Sequence, residues 1–435
     1  MCSPILSKTN YNRLTPQPLP TARGEKPPLD MLSSQIPEEF KDIRPYAPDE
    51  LPQVFAELMA DEQFMTVASK MVPDLKAKLG QLQAAASASG TSSLSNLDVQ
   101  KMFFYPLVKH IISSCSEGID LSVPEGFHRE QPHTFITNHR DIVLDSAFLS
   151  FLLVDNGFPT TVEIAIGDNL LIYPWIKKLV RINKSFIVQR SLSMREMLRA
   201  SQVMSRYMHF AVEEKHENIW IAQREGRAKD SDDRTQDALL KMMVMGGEGT
   251  VIERLRQLHL TPMALSYEYD PCDFLKAEEF QLKRDVEGFK KSKQDDLMNM
   301  QTGIFGKKGR IHFEAADCID TWLGTLDSEI SKTELFPLVA KYIDRGIHRS
   351  YRLFAGNYVA ADMLSGSVGR AKYYDEAERG VFESYLAERV ALAAKNIEAR
   401  GLKPDTAFLR ERILTMYANP VFNYEKATDT DGCSA

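Results

Sequence analysis

The sequence predicts an α/β protein, a sheet flanked by helices, with further helical additions at both ends. Three observations carry this. Between residues 133 and 315, short apolar or alternating stretches recur between helix-length segments. Residues 41–125 show helical spacing, and beyond 325 the pattern is helical again. The chain has 435 residues, enough to bury a sizeable core, and its 43% apolar and 26% charged content is that of a globular protein.

Taken in order, residues 1–40 are rich in Pro, Ser and Thr without apolar periodicity and read as a disordered tail. An N-terminal helical region follows over 41–125. Its helices are expected at 49–60 and 62–83, where Val54, Leu58, Phe64, Leu75 and Leu79 fall near helical spacing. A third is expected at 98–115, kinked or broken by Pro106. The small, polar run 84–96 reads as a flexible connector.

The α/β region spans 126–325. Strands are expected at 133–138, 160–166, 185–190, 217–223, 261–267 and 309–315, with helices at 142–154, 169–180, 193–214, 233–245 and 249–258. The Met-rich helix 193–214 reads as core packing. Helices at 333–345, 346–364, 371–399 and 405–418 form a C-terminal region, 326–425, and the polar end 426–435 reads as a frayed tail.

Bulk properties exclude several classes. A net charge of -7 argues against generic nucleic-acid binding. The five cysteines are scattered, with no CxxC and no Cys/His group at zinc spacing, so no metal is inferred and a reduced, cytoplasmic setting is expected. Residues 1–19 are polar and proline-dotted, unlike a secretory signal. No apolar run approaches the roughly 20 residues needed to span a bilayer. The expected location is the cytoplasm, with peripheral contact to a membrane surface as the alternative.

The chemistry centres on residues 133–149. A strand stops at Asn138-His139-Arg140-Asp141, and an apolar helix begins with Asp145 in its first turn. A strand ending at a His, with an Asp early on the next helix, suits a His–Asp dyad for general-base work. Three further constellations lie near strand ends. Arg190 closes the strand from Ser185 and precedes Ser191, an arrangement suited to a phosphate or carboxylate. Arg224-Glu225-Gly226-Arg227-Ala228-Lys229 follows the strand at 217–223. Gly226 permits a close turn there, and the cations suit a phosphate. Thr261-Pro262 opens another strand, where a purely structural reading suffices.

Other motifs fail. His139-Arg140-Asp141 lacks the Asn and glycine-rich loop of a kinase, Gly303 to Lys308 lacks P-loop spacing, and His209 and His216 lack an HExxH context.

In this order, Asn138-His139 with a downstream Asp, Phe186-Ile187-Val188-Gln189-Arg190, Glu225-Gly226-Arg227 and Thr261-Pro262-Met263 resemble the four motif blocks of the glycerophospholipid acyltransferases. These are the glycerol-3-phosphate and 1-acylglycerol-3-phosphate (lysophosphatidate) enzymes. The segment 308–313 is similar to the family's late strand, so the resemblance covers roughly 130–320. One departure stands out: the family places four residues between His and Asp, whereas five separate His139 from Asp145. Asp141 is the other candidate partner; Asp145 is preferred for the apolar helix behind it. The third block has Gln223-Arg224 where the family often has an aromatic-Pro pair.

The resemblance implies an acyltransferase-type core and transfer of a fatty acyl group from acyl-CoA or acyl carrier protein to a glycerol-phosphate-type acceptor in phospholipid synthesis. His139 would be the general base, Asp145 its orienting partner, and Arg190, Glu225, Gly226 and Arg227 the acceptor site. No cofactor or metal is required. A lipid-binding protein on the same fold, or an acyltransferase for another head group, is the alternative reading. Residues 170–190 add an apolar stripe (Leu171, Trp175, Leu179) beside Lys177, Lys178 and Arg181. This suits a membrane surface or acyl-carrier phosphates, or a core-facing helix with a solvated edge.

Overall fold

The computed structural model describes residues 36–87, 94–190 and 192–429. The expected tail over 1–35, residues 88–93 of the expected connector, Ser191 and the end at 430–435 lie outside them. Seven strands form one sheet: β1 (Ser116–Ser122), β2 (Thr134–Thr137), β3 (Val162–Gly167), β4 (Ser185–Val188), β5 (Asn218–Ala222), β6 (Leu260–Tyr267) and β7 (Gly309–Ala315). Their order is β1-β7-β6-β2-β5-β3-β4. All pairs are parallel except β6 with β7. β2, β3, β4 and β5 are joined through helices, as parallel neighbours require. Their carboxyl ends therefore meet on one edge, where crevices form.

Each face of the sheet buries one core. Ile136, Ile219, Ile221 and Ala264 pack under the helix Met194–Glu213, whose Met204 and Met208 are buried in the core as expected, whereas Met194 and Met197 in its first turns are exposed. Phe135, Trp220, Met263 and Phe313 pack under the helix Leu144–Asp155 through Phe148, Leu149 and Leu152. Alternation along a strand sends successive side chains to opposite faces, so both cores draw on the same strands.

The N-terminal helices form a third cluster around Leu51, Phe55, Phe64 and Leu79. The amphipathic helix Pro174–Ile182 spends its apolar stripe there: Ile182 is buried in this cluster, and the Trp175 ring lies tilted 5.5 Å from that of Phe64. Lys178 pairs with Glu57 at 2.8 Å, and Lys177 stays exposed. A fourth cluster joins the C-terminal helices through Val359, Phe382, Leu386, Ile413 and Tyr417. Among the described residues no helix is long and apolar enough to cross a membrane.

Several elements depart from expectation. Order begins before residue 41, because Phe40 is buried against Tyr207 and Phe210. The helix expected over 62–83 divides around Pro73 into Glu62–Ala68 and Leu75–Ala86. Pro106 does not end its helix. It sits in the first turn of Tyr105–Cys115, and a wide π turn at Gln100–Phe104 absorbs the missing N–H. The boundary expected between the helices at 333–345 and 346–364 lies later, at residues 350–354, between Lys332–Arg349 and Ala355–Ser365, and the last helix continues through Pro420 to Asp429. Strand β1 and the helices Asp273–Asp285 and Lys293–Phe305 were not expected.

Candidate active site

β2 ends because Asn138 replaces the backbone ladder with a side chain. Its Nδ2 donates to the Leu265 carbonyl (2.9 Å), and its Oδ1 accepts from the Leu265 N–H (2.7 Å). The chain is thereby free to leave the sheet while β6 keeps its hydrogen bonds. The turn that follows places Asp141 as a cap: its Oδ1 accepts from the N–H groups of Val143 (2.8 Å) and Leu144 (2.7 Å). The helix Leu144–Asp155 then carries Asp145 in its first turn, fully buried.

Asp145 Oδ2 lies 2.8 Å from His139 Nδ1. The same oxygen accepts from the backbone N–H of Arg140 (2.7 Å) and of Asp141 (3.1 Å), and Oδ1 accepts from the Tyr267 hydroxyl (2.8 Å). Four donors thus converge on the one carboxylate and fix its orientation. A carboxylate facing Nδ1 makes that nitrogen the donor and leaves Nε2 with a free lone pair. The His139 side chain is 13% exposed, and its ring meets the edge of Trp220 at 5.6 Å. The five-residue interval is absorbed by the capping turn, so Asp145 reaches the ring while Asp141 holds the helix. Burial, and then the Asp145 charge, push the Asp141 carboxyl above its ordinary range.

Arg190 follows β4 and reaches back across β3 to Glu225, which follows β5; their ion pair measures 3.2 Å. Gly167 at the end of β3 makes the crossing feasible, because a Cβ there would lie 3.1 Å from Arg190 Nε. The pair is open to solvent, with side chains 35% and 71% exposed. Gly226 sits at φ +68°, a conformation glycine adopts without strain. Arg227 does not share a partner with Arg190. Its Nη2 donates to Asn299 (3.1 Å) on the helix Lys293–Phe305, and it lies in the field of Asp141 and Asp270. In the structure Arg190 and Arg227 thus contact different partners.

Beneath the turn lies a buried polar layer that sequence reasoning missed. Arg140 makes a two-pronged pair with Asp233 at 2.9 and 2.6 Å, and Tyr351 donates to the same carboxylate at 2.5 Å. Lys276 is buried against Asp270. Asp233 is 93 positions from Arg140, and nothing local in the sequence marks it. Tyr267 was legible only as the last residue of a strand.

Among the described residues, one group of metal-type side chains converges: His259, Cys318 and Asp320, with donor atoms within 4.8 Å of one another. It lies at the opposite sheet edge from His139, before β6 and after β7, and His259 Nδ1 is already 2.5 Å from Asp320.

The family model described as Acyltransferase matches residues 118–266. That span runs from within β1 to Ser266 in β6 and contains the His139–Asp145 pair and the Arg190–Glu225 pair. Among solved structures, the 1-acyl-sn-glycerophosphate (LPA) acyltransferase PlsC from Thermotoga maritima matches with 12% identity. The match covers 68% of this chain and 92% of that chain, with a TM-score of 0.31. No curated protein matches.

Proposed function

We propose that this chain, whose residues 118–266 match the Acyltransferase family model, is an acyltransferase that esterifies a glycerol-phosphate-type acceptor. The acceptor hydroxyl would be that of glycerol 3-phosphate or 1-acylglycerol 3-phosphate, and the donor a fatty acyl thioester of coenzyme A or acyl carrier protein. The observation that carries the reading is the His139–Asp145 pair at the end of β2, with Glu225 after the adjacent strand β5 and its partner Arg190 after β4, three strands along on the same edge.

A hydroxyl is a weak nucleophile until its proton is removed during attack. His139 Nε2 takes that proton as the hydroxyl oxygen adds to the thioester carbonyl. Asp145 holds the ring and balances the imidazolium formed. When the tetrahedral intermediate collapses, the C–S bond breaks and the departing thiolate recovers the proton from His139. The products are an ester and a free thiol. Arg190 offers a planar, two-pronged donor to the acceptor phosphate, for which Lys would be a poor replacement. Glu225 holds Arg190 in place until the phosphate arrives, and the glycine at 226 keeps that turn open. Arg227 acts from deeper in the site, through Asn299.

The test is an acceptor panel with acyl-CoA and acyl carrier protein donors, read as thiol release and run beside His139→Ala. Thiol release that needs a glycerol-phosphate acceptor and vanishes in the variant supports the reading. Full activity in His139→Ala ends it. Peripheral membrane contact is also proposed, with exposed Lys177 as a surface cation. Anionic vesicles should bind Lys177→Glu/Lys178→Glu protein more weakly, and unchanged co-sedimentation would remove this patch from consideration.

A further inference from the structure

Tyr267 ends β6, the strand opened by Thr261-Pro262, and its hydroxyl has one partner in reach, Asp145 Oδ1 at 2.8 Å. The residue is buried, with its ring 6.3 Å from that of Phe148. In such a place phenylalanine would fill the same volume, and a hydroxyl taken out of water is a cost unless it is bonded. The bond it makes is to the one carboxylate that holds His139. The register that puts it there is also fixed from the dyad side, because Asn138, next to His139, clamps both backbone groups of Leu265 two residues earlier.

We propose that Tyr267 is a positioning residue of the acyl-transfer reaction, locking the Asp145 carboxylate and tempering its pull on the His139 proton. The proposal rests on His139 being the general base. With Oδ2 bonded to His139 and two backbone N–H groups, the tyrosine is the donor on Oδ1, and it fixes the carboxylate plane. A donor on Oδ1 also draws charge from the carboxylate. The imidazolium is then held less tightly and releases its proton more readily to the leaving thiolate. Asp141 and Asp270 also face the tyrosine, and with Asp145 and burial they keep its phenol protonated and able to donate. The cations near these acids are Arg227, which acts on Asp141 and Asp270, Lys276 on Asp270, and Arg140, whose guanidinium is turned away to Asp233. Lys308 is buried close to Asp141. None of these cations donates to Oδ1. The fourth sequence block thus contributes to the dyad through the far end of its strand rather than through Thr261-Pro262.

The experiment compares pH profiles of kcat/KM for the full-length protein and for Tyr267→Phe, with His139→Ala alongside. Tyr267→Phe should lower kcat about tenfold with KM for acceptor and donor within about twofold. The limb of the profile that reports the base should move to higher pH, because an unbonded Oδ1 strengthens the pull on the imidazolium. Replacing Tyr267 by 3-fluorotyrosine, a stronger donor of nearly the same shape, should retain kcat and move the limb to lower pH. A limb that stays in place in both proteins overturns the proposal, even if kcat falls, since a purely structural hydroxyl would lower kcat without moving it. If His139→Ala keeps full activity, the base reading itself has failed. If it is inactive while Tyr267→Phe is unchanged, only the role of Tyr267 is lost.

Discussion

Removing the Asp233 carboxylate should be among the most damaging single changes away from the reacting atoms. Arg140 is 7% exposed and Asp233 1%, and the two-pronged pair is completed by the Tyr351 hydroxyl. In Asp233→Ala the guanidinium stays buried without its counter-charge. Breaking one side of such a pair costs about 3–5 kcal/mol. Leaving the tyrosine hydroxyl without an acceptor adds roughly 1–3 kcal/mol if no water replaces it. Arg140 adjoins His139, and its backbone N–H holds Asp145, so kcat should fall as well. Urea unfolding followed by tryptophan fluorescence reads the stability change, with equal slopes required for comparison. The companion Arg140→Met/Asp233→Leu/Tyr351→Phe variant buries no orphaned charge and should recover most of the loss. A single-variant cost below about 1 kcal/mol, or a triple variant as unstable as the single, would refute the reasoning.

Further outcomes follow from the same geometry. Asp145→Asn should cut kcat by about 10²–10⁴-fold, because the amide loses the charge that balances the imidazolium, whereas Asp141→Asn should cost less than about tenfold since an amide oxygen still caps Val143 and Leu144; steady-state kinetics of the two decide between them. Gly303→Ala places a Cβ 1.9 Å from Asp141 Oδ2 and should destabilise by about 1–3 kcal/mol while disturbing the catalytic turn, seen as a lower melting temperature together with lower kcat. Burial depresses His133 to about 4 from an ordinary 6.5, so the unfolded chain binds the extra proton. Stability from this group is present above pH 6.5 and is lost as pH falls towards 4, by about 3 kcal/mol in all; unfolding curves of His133→Gln should lack that acid limb. Arg190→Lys should raise KM for the acceptor phosphate about tenfold with little change in donor KM.

The central strands and the His139 turn were legible because their signals are local. Short apolar runs broken by polar turns mark β2, β4, β5 and β6, and a His followed by a helix-opening Asp is readable within seven residues. The elements that escaped lack such signals. β1 reads Ser-Glu-Gly-Ile-Asp-Leu-Ser and lies at the sheet margin, half exposed, so it needs few apolar residues. The helix Asp273–Asp285 is buried yet charged. Asp273 is held by Arg389, Tyr385 and Tyr417, Lys276 by Asp270, and Glu278 by Asn396 and Arg400. Its burial is made tolerable by partners more than 100 residues away in most cases, and apolar periodicity does not register that. The same applies to the site: the dyad was visible, but Tyr267 and Asp233 become meaningful only when the sheet brings them under the turn.

The placement of β7 has a consequence for how the chain is made. β1 pairs with β7 alone, and its partner lies about 190 residues downstream. β7 also covers the free edge of β6, the strand that carries Tyr267. During synthesis, the span from β1 to β6 emerges with β6 as an open edge and β1 without a neighbour. An unpaired edge is a template for pairing with other chains. A fragment cut at residue 308 would contain every proposed catalytic and acceptor-binding residue and still present that sticky margin. Completion of the sheet, and with it protection from aggregation, waits for the last strand to arrive and insert between β1, which it joins in parallel, and β6, against which it runs antiparallel.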